Sequence, residues 1–112
     1  MKNWKWGVVN DTYCLCCAAA MSTSLLVEKM KREADYQGIR VDIRAVGVHD
    51  VHQATDANII LLAPQVKYIK KQLQKALPDI PVMDISMRDY GTMNGKNVFQ
   101  NAMEMIEQNK SD

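Results

Sequence analysis

The chain has little of most things that would assign it to a special class. Its 112 residues include five glycines, three prolines, one phenylalanine and three cysteines. With so little glycine and proline, and no Gly/Ser- or Pro-rich stretch, collagenous and low-complexity architectures are excluded and no linker divides the chain. Net charge is nearly missing too: 14 Lys plus Arg against 13 Asp plus Glu leave +1. Long-range attraction to nucleic acid or to an anionic membrane surface has little to act through. The longest unbroken apolar run, residues 13–21, has nine members, against the roughly 20 that span a bilayer. Lys2 and Lys5 are followed by no apolar segment of the secretory type, so a soluble, cytoplasmic protein is expected. Three cysteines cannot complete a disulfide framework, and all of them crowd into Cys14-Leu15-Cys16-Cys17. Reduced thiols are expected, one of them kept for its reactivity.

What is present is an ordinary globular composition, 47% hydrophobic and 24% charged, at a length that fits one domain of about 100–150 residues. Residues 12–112 read as that domain, and residues 1–11, with Trp4 and Trp6, as an N-terminal extension. Residues 12–16 form a short apolar strand. Ser22, Thr23 and Ser24 are good helix caps, followed by Leu26, Met30 and Ala34 on one helical stripe, with Gly38 just past the end where a left-handed residue is expected. Ile39, Val41, Ile43 and Ala45 alternate with Arg40, Asp42 and Arg44, the period of a half-exposed edge strand. Residues 58–63 are apolar after the first, as in a central parallel strand buried on both faces. Val66, Ile69, Leu73, Ala76 and Leu77 keep helical spacing opposite Lys67, Lys70, Lys71 and Lys75, a solvated face. Residues 81–85 make a fourth strand, 91–95 a loop, and Val98, Phe99, Ala102, Met103 and Ile106 a last amphipathic helix.

This alternation predicts an α/β fold: a single three-layer domain whose four-stranded parallel sheet, in the order 2-1-3-4, carries helices on both faces. Ligands in such sheets bind beyond the carboxyl ends of the strands, near the switch point between strands 1 and 3. Strand 1 ends at Cys16–Cys17, so a thiol falls at the expected site. In Cys17-Ala18-Ala19-Ala20-Met21-Ser22-Thr23-Ser24 a thiol leaves a strand, small side chains let the backbone curl, and hydroxyls open a helix. The unpaired amides of a helix start favour thiolate over thiol and cradle a tetrahedral anion. A cysteine there is poised to attack phosphorus and hold the product as a thiophosphate ester. The same residue types also fit a buried structural cysteine beside an ordinary cap, and by themselves they leave both readings open.

The stretch Cys17 to Val27 resembles the phosphorylation loop of IIB components of the lactose/cellobiose/chitobiose class of the bacterial sugar phosphotransferase system. That pattern is Cys, two small residues, Gly, Met, Ser, Thr, Ser and an apolar helix; Ala20 stands here where the family usually has Gly. The likeness continues at Leu62-Ala63-Pro64-Gln65-Val66 with Tyr68, and at Tyr90-Gly91 with Gly95. It implies a Cys phosphate-binding loop after strand 1, in which Cys17 accepts a phosphoryl group from a histidine of a IIA protein and passes it to a β-disaccharide bound by the membrane component IIC. Ala18, Ala19, Ala20, Met21, Ser22, Thr23 and Ser24 would hold the phosphate, mainly through backbone N–H groups. Met21, Pro64, Gln65 and Tyr68 would face a partner. The resemblance implies no cofactor, and a cytoplasmic protein that meets the membrane only through IIC.

A low-molecular-weight thiol phosphatase or arsenate reductase shares this layout, but clamps phosphate with an arginine at the end of its loop. Six positions after Cys17 stands Thr23, and the loop holds no arginine. A thiol oxidoreductase would use Cys14 and Cys17, but Cys14 falls inside a strand, about 10 Å away at roughly 3.3 Å per residue. His49 and His52 lie three apart with no ligand set to complete a metal site.

Overall fold

The computed structural model describes residues 11–18 and 23–111. Within them run β1 (Asp11–Cys17), α1 (Ser24–Gln37), β2 (Val41–Gly47), β3 (Ile59–Leu62), α2 (Lys70–Ala76), β4 (Val82–Asp84), α3 (Met87–Gly91) and α4 (Gly95–Ser111). All strand pairs are parallel and the order is β2-β1-β3-β4, as the alternation of elements predicts. The all-apolar β3 is buried along its whole length, whereas β2, at the edge, buries only Ile43. An edge strand keeps one side in water, which is why its sequence alternates and that of β3 does not.

The β1–α1–β2 and β3–α2–β4 crossovers step in opposite directions from the middle of the sheet. Right-handed connections therefore set α1 and α2 on opposite faces. α4 returns to the α1 face, where Phe99 stacks on Tyr13 with ring centroids 5.4 Å apart. α1 contributes Leu26, Val27, Met30 and Ala34 to the core and stops at Gly38, whose φ of 72° is the left-handed cap that residues with a Cβ rarely adopt. Among the described residues no helix is long and apolar enough to cross a membrane.

Four expectations need correction. The helix expected over residues 66–77 is divided: a 3-10 segment, Pro64–Ile69, bends at Val66 (φ −119°, ψ 16°) before α2 begins at Lys70. Proline pre-sets the first turn, and the tighter winding carries the same apolar stripe, except that Ala76 is exposed. The loop expected at 91–95 is shorter, because α3 extends through Gly91 and α4 starts at Gly95. Thr23 precedes α1 but makes no capping hydrogen bond with its side chain. β1 begins at Asp11, one residue before its expected start. Trp4 and Trp6 lie outside the described residues.

Candidate functional site

β1 delivers Cys17 to the carboxyl edge of the sheet, level with Gly47 of β2. Directly beside it, the amide of Ala63 donates to the Cys16 carbonyl at 2.9 Å. Side chains alternate along a strand, so Tyr13, Leu15 and Cys17 face α1 and α4, while Cys14 and Cys16 face the other way. The Cys17 thiol is fully covered. Its sulfur lies 3.4 Å from the Thr23 hydroxyl and 3.8 Å from the Val46 carbonyl, to which the S–H donates. Thr23 is itself completely buried, and its side chain makes no capping bond to the helix amides. The first turn of α1 carries no acidic side chain, so no carboxylate of that turn offsets the partial positive charge of the helix end.

The other thiols differ. Burial pushes Cys14 up to about 11, against the opposing pull of the Arg44 guanidinium. It pushes Cys16 up to about 12, helped by the neighbouring thiols Cys14 and Cys17. Both stay protonated at neutral pH and are poor nucleophiles. All three cysteines are free. Cys14 and Cys17 project from opposite faces of one extended strand, so no dithiol centre forms.

Of the loop residues expected to hold phosphate, Ala18 is exposed, Thr23 buried and Ser24 exposed; Ala19, Ala20, Met21 and Ser22 lie outside the described residues. Pro64, half-buried, opens the 3-10 segment after β3, with Gln65 exposed beyond it. Tyr68 is 74% exposed. Two further apolar side chains at this end escaped the sequence reading: Leu25, 52% exposed at the start of α1, and Met87, 76% exposed at the start of α3. Leu25 lies off the buried stripe of its helix, and that was the available signal. The Val46 carbonyl had none, because only strand register brings it to Cys17. His49 and His52 are exposed in the β2–β3 connection, and among the described residues no group of three His, Cys, Asp or Glu could hold a metal.

The family described as "PTS system, Lactose/Cellobiose specific IIB subunit" matches residues 14–101. The oligo-beta-mannoside-specific EIIB component of Bacillus subtilis is 37% identical over 95 residues, covering 82% of this chain and 92% of that protein. The galactose-specific EIIB component of Lactococcus lactis subsp. cremoris is 35% identical over 100 residues, covering 82% and 93%. Among solved structures, the cellobiose-specific phosphotransferase IIB component of Borrelia burgdorferi superposes with a TM-score of 0.77 at 35% identity, covering 92% of this chain and 97% of that one. A match across most of the domain, in a chain whose sheet has the order β2-β1-β3-β4 and whose first strand ends at Cys17, makes this protein a member of the lactose/cellobiose-specific IIB family, the sugar phosphotransferase components of the PTS.

Proposed function

We propose that Cys17 is the phosphoryl acceptor of this IIB protein, taking the group from a phosphohistidine of a IIA protein and passing it to a β-disaccharide held by the membrane component IIC. The observation that carries this reading is the placement of a covered thiol at the carboxyl end of β1, beside the start of α1. In the first step the thiolate attacks phosphorus; an S–P bond forms, the N–P bond breaks, and its electron pair stays on the imidazole nitrogen, which takes up a proton. In the second, a sugar hydroxyl oxygen attacks, an O–P bond forms, and the S–P pair returns to sulfur while a base takes the hydroxyl proton. The amides from Ala18 to Ser24 cradle the phosphate in both steps, without a guanidinium. A loop lacking arginine fits a carrier whose phosphocysteine must outlast the encounter with water, and this argues against a phosphatase on the same scaffold. A covered sulfur has to be uncovered before it meets phosphorus on another protein, and the exposed apolar side chains Leu25, Tyr68 and Met87, with Pro64 and Gln65 and with Met21 of the loop, offer the docking rim. The protein works in the cytoplasm and reaches the membrane through IIC.

The test is the intact mass after incubation with a phosphorylated IIA protein. One phosphoryl group is expected, mapping to Cys17, retained in Cys14→Ser and Cys16→Ser and lost in Cys17→Ser. Labelling that survives Cys17→Ser, or that maps to His49 or His52, would remove the assignment.

A further inference from the structure

We infer that Thr23 is a positioning residue for the Cys17 sulfur: its buried hydroxyl, 3.4 Å from Sγ, holds the sulfur in place and supports it as a thiolate. This rests on the reading of Cys17 as the phosphoryl acceptor and adds a side-chain role within that site. A threonine before a helix would ordinarily turn its oxygen to the amides of the first turn. Here it makes no such bond and faces the sulfur instead. The two described partners of Sγ behave differently when the proton leaves. The Val46 carbonyl, at 3.8 Å, can only accept, so it bonds the thiol form alone. A hydroxyl can accept from S–H or donate to S⁻, so Thr23 can bond both forms, the reactive one included. Both Thr23 and Cys17 are completely buried, and a hydrogen bond to a charged atom counts for more where water is excluded. The hydroxyl also fixes the direction from which phosphorus reaches the sulfur, since it occupies one side of that atom.

Two substitutions separate the hydroxyl from the packing around it. Thr23→Val keeps the shape and removes the donor, whereas Thr23→Ser keeps the donor and removes a methyl group. The measurements are the rate of iodoacetamide alkylation at Cys17, mapped by peptide mass, and the rate of phosphoryl uptake from phosphorylated IIA, with far-UV circular dichroism as the check on folding. Thr23→Val is expected to slow both rates by roughly three- to tenfold, and Thr23→Ser to stay within about twofold of the parent. A packing role predicts the reverse order. Equal rates in Thr23→Val and the parent, a faster valine variant, or a serine variant slower than the valine one would each overturn the inference. Should the valine variant fail to fold, Thr23→Ala takes its place, with the serine variant again expected to be the faster. Alkylation needs no partner protein, so if the parent takes no phosphoryl group the functional reading fails while the order of alkylation rates still judges Thr23.

Discussion

Gly95 opens α4 against the middle of α1 with no room for a side chain. A Cβ built on it would lie 2.6 Å from the Lys29 Cβ, 2.7 Å from the Lys29 carbonyl carbon and 2.8 Å from the Met30 amide nitrogen. Two of these three atoms are backbone, so relief requires the helices to part. Gly95→Ala is expected to destabilise the fold by roughly 1–3 kcal/mol, read as a lower urea midpoint at an unchanged slope. An alanine variant as stable as the parent would mean that α1 and α4 can separate freely. The sequence marked Gly95 only through its place in the resemblance, because the atoms it touches come from a helix far earlier in the chain. Cys17 shows the opposite case. Its position at a strand end beside a helix start is local information, and pattern alone located it. Its contact with Val46 is long-range, and pattern alone could not reach it.

Elements with a strong period were legible and the short helix α3 was not. β3 and α1 declare themselves by an unbroken apolar run and by apolar residues at four-residue spacing. α3, with five residues, is too short to display a period. Its signal is chemical instead: the Ser86 hydroxyl accepts from the Asp89 amide at 3.0 Å, and Asp89, nearly buried, accepts from the Asn97 side-chain amide at 2.8 Å. The run Ser86-Met87-Arg88-Asp89 is thus a cap with an acidic residue in the first turn, a pattern readable from sequence. That contact ties α3 to α4 and so fixes how the chain turns away from the sheet after β4. Ser86→Ala removes the cap and is expected to cost about 0.5–2 kcal/mol, with faster amide exchange concentrated at residues 87–91. A uniform loss of protection across the domain would place the effect in the core and not in the cap.

At the scale of the whole molecule, the strand order and the place of Cys17 at the carboxyl end of β1 follow from a few rules about crossovers, and so could be anticipated. What the rules omit is how dry the centre is. Tyr13, Cys14 and Cys16 sit on the central strand β1, almost without exposure, and for each of them burial is the largest cause raising the proton affinity in the fold. The direction for stability follows. An unfolded chain gives up thiol protons near the ordinary value of 9.0, whereas the fold keeps them until about 11 at Cys14 and about 12 at Cys16. Above about pH 9 the folded state therefore binds more protons than the unfolded one, and stability falls as pH rises. Below that value the contribution is fully present. Between the ordinary and raised values each thiol removes at most about 1.4 kcal/mol per pH unit, and Tyr13, raised in the same direction, adds to the loss from about pH 10 upward. Urea midpoints measured under reducing conditions are expected to be nearly level from about pH 7 to 8 and to drop steeply by about pH 10.5. The discriminating measurement is the same series in Cys16→Ala, because the charges elsewhere on the chain are common to both proteins. That variant starts less stable, because it leaves a cavity, but its decline is expected to be shallower by one thiol's share. Parallel declines in the two proteins would show that Cys16 contributes nothing to the alkaline loss.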